Sequence, residues 1–65
     1  MKGYSIKALD EDGCELRVHD DWTMSKLEAI EDGKEMMRDP DLSAELDAVQ
    51  VIDRYGDVIW DDFKS

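Results

Sequence analysis

His19 stands beside Asp20 and Asp21, Cys14 stands between Gly13 and Glu15, and Asp10, Asp12 and Glu15 crowd around one glycine. These are residue types that serve as bases, nucleophiles and metal ligands. A histidine with a carboxylate neighbour could be an oriented general base. Sequence neighbours, however, seldom face each other at a strand end, and no nucleophile is implied; an exposed strand-end histidine is the simpler reading. Cys14 as a nucleophile needs electropositive surroundings. Its neighbours are Asp12, Gly13 and Glu15, so a small core residue fits better. A calcium loop needs a third oxygen ligand before its glycine and a glutamate six residues after it; here Gly13 follows Asp12 directly and the later position is His19. By alternation Cys14 and His19 fall on opposite faces of one strand, which separates them as zinc ligands. There is no glycine-rich phosphate loop or dinucleotide fingerprint. A chain of 65 residues also has little room for an ordinary ligand pocket. The expectation is a non-enzyme with no metal and no cofactor.

What remains is charge. Eighteen acidic residues face eight basic ones, a formal net charge of -10. Direct nucleic-acid binding needs a basic face, and anionic membranes also attract cations, so both are excluded as expected partners. Glu28, Asp32, Glu35 and Asp39 are spaced by four, three and four residues. At about 100° per residue they lie within about 40° of the direction opposite Ile30, roughly one carboxylate per 5.4 Å turn. Glu31 widens this stripe, and Asp10, Glu11 and Asp12 form a second cluster. A solvated face that keeps a protein soluble is the simple account. Against it, like charges at i, i+4, as in Glu28–Asp32 and Glu31–Glu35, destabilise a helix.

The elements that would carry these residues can be read from periodicity. Tyr4, Ile6 and Ala8 alternate with Ser5 and Lys7, and Cys14, Leu16 and Val18 alternate with Glu15, Arg17 and His19, the period of half-buried strands. A three-residue loop, Glu11-Asp12-Gly13, with glycine left-handed, puts both apolar sets on one face and predicts the pairs Ala8–Leu16 and Ile6–Val18. Ser25 with Glu28 has capping-box spacing, with Thr23 as a second cap candidate. The helix should bury Leu27, Ile30 and Met37, let Gly33 approach a sheet, and stop near Arg38 or Asp39 before Pro40. Residues 41–47 offer one more helical turn through Leu42 and Leu46. Ala48 to Ile52 and Val58 to Phe63 form a second hairpin around Tyr55-Gly56. Its turn repeats the first: Leu9 to Leu16 aligns with Ile52 to Ile59, and turn chemistry at Asp and Gly explains the likeness.

The expected fold is α+β, in the order β-β-α-β-β. It is a single domain over residues 1–65, a four-stranded antiparallel sheet with one helix on one face. Val49, Val51 and Ile59 alternate with Ile52, Val58 and Trp60, so both faces of the second hairpin look apolar. The lone cysteine excludes an intramolecular disulfide. No apolar run approaches the about 18 residues of a membrane span, and Met1-Lys2-Gly3-Tyr4 is followed by no apolar h-region; a cytoplasmic protein is the expectation.

In size, acidity and compact mixed fold the chain resembles small phage-encoded inhibitors that act as DNA mimics, anti-CRISPR proteins among them. The resemblance spans the whole chain in composition and has no diagnostic motif. It implies a viral inhibitor in the host cytoplasm whose carboxylates stand in for phosphates and block a basic nucleic-acid-binding protein such as a CRISPR effector subunit. Glu28, Glu31, Asp32, Glu35, Asp39, Asp10, Glu11 and Asp12 would make that contact, with the chain a monomer or weak homodimer. The alternative is a small accessory or oligomerising domain of a bacterial or phage protein, with the apolar second hairpin as its interface.

Overall fold

The computed structural model describes residues 3–42 and 44–63. Met1 and Lys2, at the start read for a leader, and Ser43, within the 41–47 segment, lie outside the described residues. The elements are β1 (Tyr4–Leu9), β2 (Glu15–Asp21), α1 (Lys26–Met37), β3 (Ala48–Asp53) and β4 (Val58–Phe63). All strand pairs are antiparallel, in the order β2-β1-β3-β4, and the helix packs over the central pair, β1 and β3. The expected α+β architecture is the observed one. None of the described helices is long and apolar enough to cross a membrane.

The core follows from alternation. Ile6 and Ala8 on β1 pair with Val51 and Val49 on β3, and all four are fully buried under the helix. Leu42 and Leu46 close one end. The Leu46 amide donates to the Leu42 carbonyl at 2.9 Å, so the segment after Pro40 does make a helical turn's bond. Tyr4 and Trp60 pack against the core, whereas Trp22, Tyr55 and Phe63 are exposed.

Both hairpins are built the same way. Asp10 Oδ1 accepts from the Asp12 and Cys14 amides, and Asp53 Oδ1 accepts from those of Tyr55 and Asp57. Asp12 and Asp57 contribute only backbone, so the turn chemistry resides in the first aspartate. Gly13 and Gly56 have φ of 83° and 89°, the left-handed geometry of the predicted three-residue loop. Nothing lies within 4 Å of a Cβ placed at either glycine. Gly13→Ala and Gly56→Ala should therefore each cost about 1–2 kcal/mol through conformation alone, read as a shift in urea midpoint with unchanged slope.

Beyond its loop each hairpin carries a β-bulge, and this corrects the predicted register. Leu9 pairs with Glu15, but Ala8 pairs with Arg17 and Ile6 with His19, leaving Leu16 as the extra residue. Likewise Ile52 pairs with Val58 and Val51 with Trp60, leaving Ile59 extra. A bulge sets two residues against one and reverses the faces of the residues beyond it. Val18 thus turns outward, 43% exposed, instead of inward, while Arg17 and His19 fall on the helix side. Leu16 and Ile59 still pack half-buried against the core. Cys14 is exposed at the loop, not in the core. In the second hairpin, Val51 and Trp60 are both on the helix side, and Ile52 and Val58 face outward. Bulges and carboxylates on both edge strands also blunt them against pairing with other chains.

Candidate binding cleft between the helix and the outer strand

Ser25 caps α1, its hydroxyl accepting from the Glu28 amide at 3.3 Å and donating to Glu28 Oε1 at 3.1 Å. Thr23 does not cap: its amide and hydroxyl both donate to Asp21 Oδ1, at 2.9 and 2.6 Å. Arg38 ends the helix, as Pro40 requires. The buried positions are Ala29, Gly33 and Met36, with Ile30 and Met37 half-buried and Leu27 69% exposed. The predicted inward stripe of Leu27, Ile30 and Met37 is therefore rotated. The reason is Gly33. A Cβ there would lie 2.8 Å from Trp60 and 3.2 Å from Val51, so the helix rests its smallest surface on the sheet and turns its larger side chains aside.

That rotation re-aims the acidic stripe. The Glu28–Asp32–Glu35 line stands about 100° from the buried face, on the flank toward β2, and not opposite the core. Asp39 lies just past the helix cap and is half-buried. Because the helix covers β1 and β3, a cleft of about 400 Å³ opens between its acidic flank and outer strand β2. Ile6 and Met36 line it with Asp32, Glu35 and Asp39 from one side, and Arg17 and His19 from the other. Arg17 Nη1 donates to Asp39 Oδ2 at 2.6 Å and bridges the two walls.

No known protein family, curated protein or solved structure matches this chain.

The fold brings only some of the predicted site residues together. Asp32, Glu35 and Asp39 meet in the cleft, and Glu28 continues the same flank, exposed. Glu31 points further to solvent and pairs with Lys34 at 3.7 Å. Asp10 is occupied with the loop amides. Glu11 and Asp12 are exposed at the hairpin tip, past the end of β2 that carries Arg17, and neither lines the cleft. Arg17, His19, Ile6 and Met36 were not expected at a site. One signal in the sequence could have found the first two. Ile59 and Trp60 are adjacent apolar residues that break alternation, which marks a bulge. The alignment of the two hairpins carries that bulge to Leu16 and flips Arg17 and His19.

Among the described residues no group of three or more His, Cys, Asp or Glu is arranged to hold a metal ion. Asp39 is held below the ordinary aspartate value of 3.8, first by the Asp41 amide and then by Arg17. Asp21 is lowered in the same way by the Thr23 hydroxyl and amide. A carboxyl lowered in the folded state contributes stability above its unfolded value, and loses it as pH falls through the lower folded value. Asp39→Asn should therefore flatten the acid limb of a profile of urea midpoint against pH, below about pH 4. An unchanged limb would detach acid unfolding from this contact.

Proposed function

We propose that this chain is a non-catalytic acidic binding protein that mimics nucleic-acid phosphates and blocks a basic DNA- or RNA-binding groove on a partner protein. Its most specific form is a phage anti-CRISPR inhibitor, acting in the host cytoplasm on target-DNA binding by a CRISPR effector. The observation that carries the reading is the line Glu28–Asp32–Glu35. The three carboxylates are exposed on one helix flank, rise about 6.0 and 4.5 Å from one to the next along the axis, and have no cation paired with them among the described residues. The body measures 35 × 19 × 17 Å across its Cα atoms and carries a net charge of -10. A duplex bears one charge per about 1.7 Å of axis, so this chain offers about half that density on a preformed frame. Lys/Arg-lined grooves attract such a body from a distance and hold it in a salt-dependent manner.

The test is competition. A labelled DNA duplex bound to a purified CRISPR effector should be displaced by the chain, with an inhibition constant that weakens as salt rises. Duplex binding unaffected at low salt across effectors of several types would reject the anti-CRISPR form.

A second reading has its own observation. Among the described residues no helix covers the sheet face opposite α1, and Val58 and Phe63 are 47% and 61% exposed there beside half-buried Ile52. An accessory or oligomerising domain would use that surface. Val58→Ser with Phe63→Ser should then abolish association in sedimentation while leaving the fold intact. Trp60 and Val51 are core residues, and substituting them would test stability instead.

A further inference from the structure

We propose that the cleft between α1 and β2 seats an arginine side chain of the basic partner, an inference that rests on the acidic-ligand reading above. The cleft is not simply acidic. Met36, 9% exposed, lies at its floor, with fully buried Ile6 directly beneath. Asp32 and Glu35, three residues apart and so neighbours on one helix flank, form one rim, and His19 stands on the other. The Arg17 guanidinium is committed to Asp39, which offsets that carboxylate and closes one end. Asp32 and Glu35 have no cation partner among the described residues. The space therefore combines a small apolar contact at Met36 with a doubly negative rim.

An arginine complements both parts. Its methylene stem covers apolar surface while its head stays at the polar edge. Its guanidinium is planar and weakly hydrated, so it can lie against the polarisable Met36 thioether while its fork reaches the carboxylates. Lysine offers the same charge as a compact, strongly hydrated ammonium that gives up more on leaving water. About 400 Å³ accommodates one such side chain with its water, and further partner arginines beyond it would meet Glu28 along the flank.

The probe is acetyl-Gly-Arg-Gly-amide, titrated into the full chain with labelled isoleucine and methionine methyl groups. The Ile6 and Met36 resonances should shift saturably with a millimolar dissociation constant. The lysine peptide should bind more weakly, and the citrulline peptide, which keeps the shape and drops the charge, should not bind. Asp32→Asn with Glu35→Gln should weaken arginine binding about fivefold, as two exposed ion pairs would, with the free-state Ile6 and Met36 positions unchanged; raised salt should do the same without substitution. Equal response to citrulline, or shifts spread evenly over all acidic regions, would overturn the cleft as a seat. The two levels also separate. Duplex competition retained by a chain whose cleft takes no arginine overturns this inference and leaves phosphate mimicry standing. Saturable arginine binding with no duplex competition supports the seat and overturns the mimicry.

Discussion

Gly33→Leu is expected to abolish the cooperative fold, and Gly33→Ala to weaken it, although both replace the poorest helix former short of proline. Propensity alone would make alanine better by about 1 kcal/mol. Packing opposes this. The first carbon of any side chain at this position would lie 2.8 Å from the Trp60 ring, with Val51 and another Trp60 carbon at 3.2 and 3.3 Å. Overpacking of that kind costs about 1–3 kcal/mol, so alanine should lose net stability, and leucine, with three further carbons, has no room. A domain of 65 residues has about 3–10 kcal/mol in total, which leucine would largely consume. Urea unfolding followed by tryptophan fluorescence reads both variants, and Lys34→Ala at the adjacent exposed site should stay within about 0.5 kcal/mol of the parent. Trp60→Leu removes the obstructing ring. In that background Gly33→Ala should cost less, with a coupling of about 1 kcal/mol or more. A stabilised Gly33→Ala would mean that Trp60 swings aside freely and that the helix is not seated by this contact.

The same glycine explains where reading the sequence stopped. Alternation located the strands of the first hairpin, apolar runs around Tyr55-Gly56 located those of the second, and Ser25, Glu28 and Pro40 located both ends of the helix, because those signals are local. The helix rotation was not local. Leu27, Ile30 and Met37 look like the buried set if the largest apolar side chains face the core. The sheet instead presents Trp60 and Val51 where a Cβ at position 33 would lie, so the helix turns its Gly33 side to them, and Leu27 is left in solvent. The β2 register failed for a related reason. Leu16-Arg17-Val18 alternates cleanly, and nothing within that hairpin declares the extra residue. Only the broken alternation at Ile59-Trp60 does, through the matched turns at Asp10 and Asp53. Both errors act on the candidate site. The rotation moves the carboxylates from the solvent side to the flank, and the bulge brings Arg17 and His19 round to face them.

Reversing Glu28, Asp32 and Glu35 to lysine should weaken displacement of duplex DNA from a basic partner by about a hundredfold at low salt, taking about 1 kcal/mol for each reversed contact. The loss should shrink as salt is raised, because screened contacts contribute little in either chain. Stability should hardly move, since two local effects oppose each other. The 28–32 pair stays like-charged, but position 35 becomes opposite in charge to Glu31, so the i, i+4 repulsion of Glu31–Glu35 gives way to attraction and favours the helix by a few tenths of a kcal/mol. Losing Glu28 from the first turn, where it meets the Ser25 hydroxyl and the positive end of the helix dipole, costs a similar amount. A matched triple reversal at Asp57, Asp61 and Asp62 changes net charge equally but lies on the far hairpin. If phosphate mimicry works through the helix flank, the first variant loses competition and the second retains most of it. Equal losses would assign the effect to overall charge, and the flank would then have no special role. A selective loss in the second variant would move the contact to β4, whose outward face also carries Val58 and Phe63, and would favour the sheet surface as the place where the partner sits.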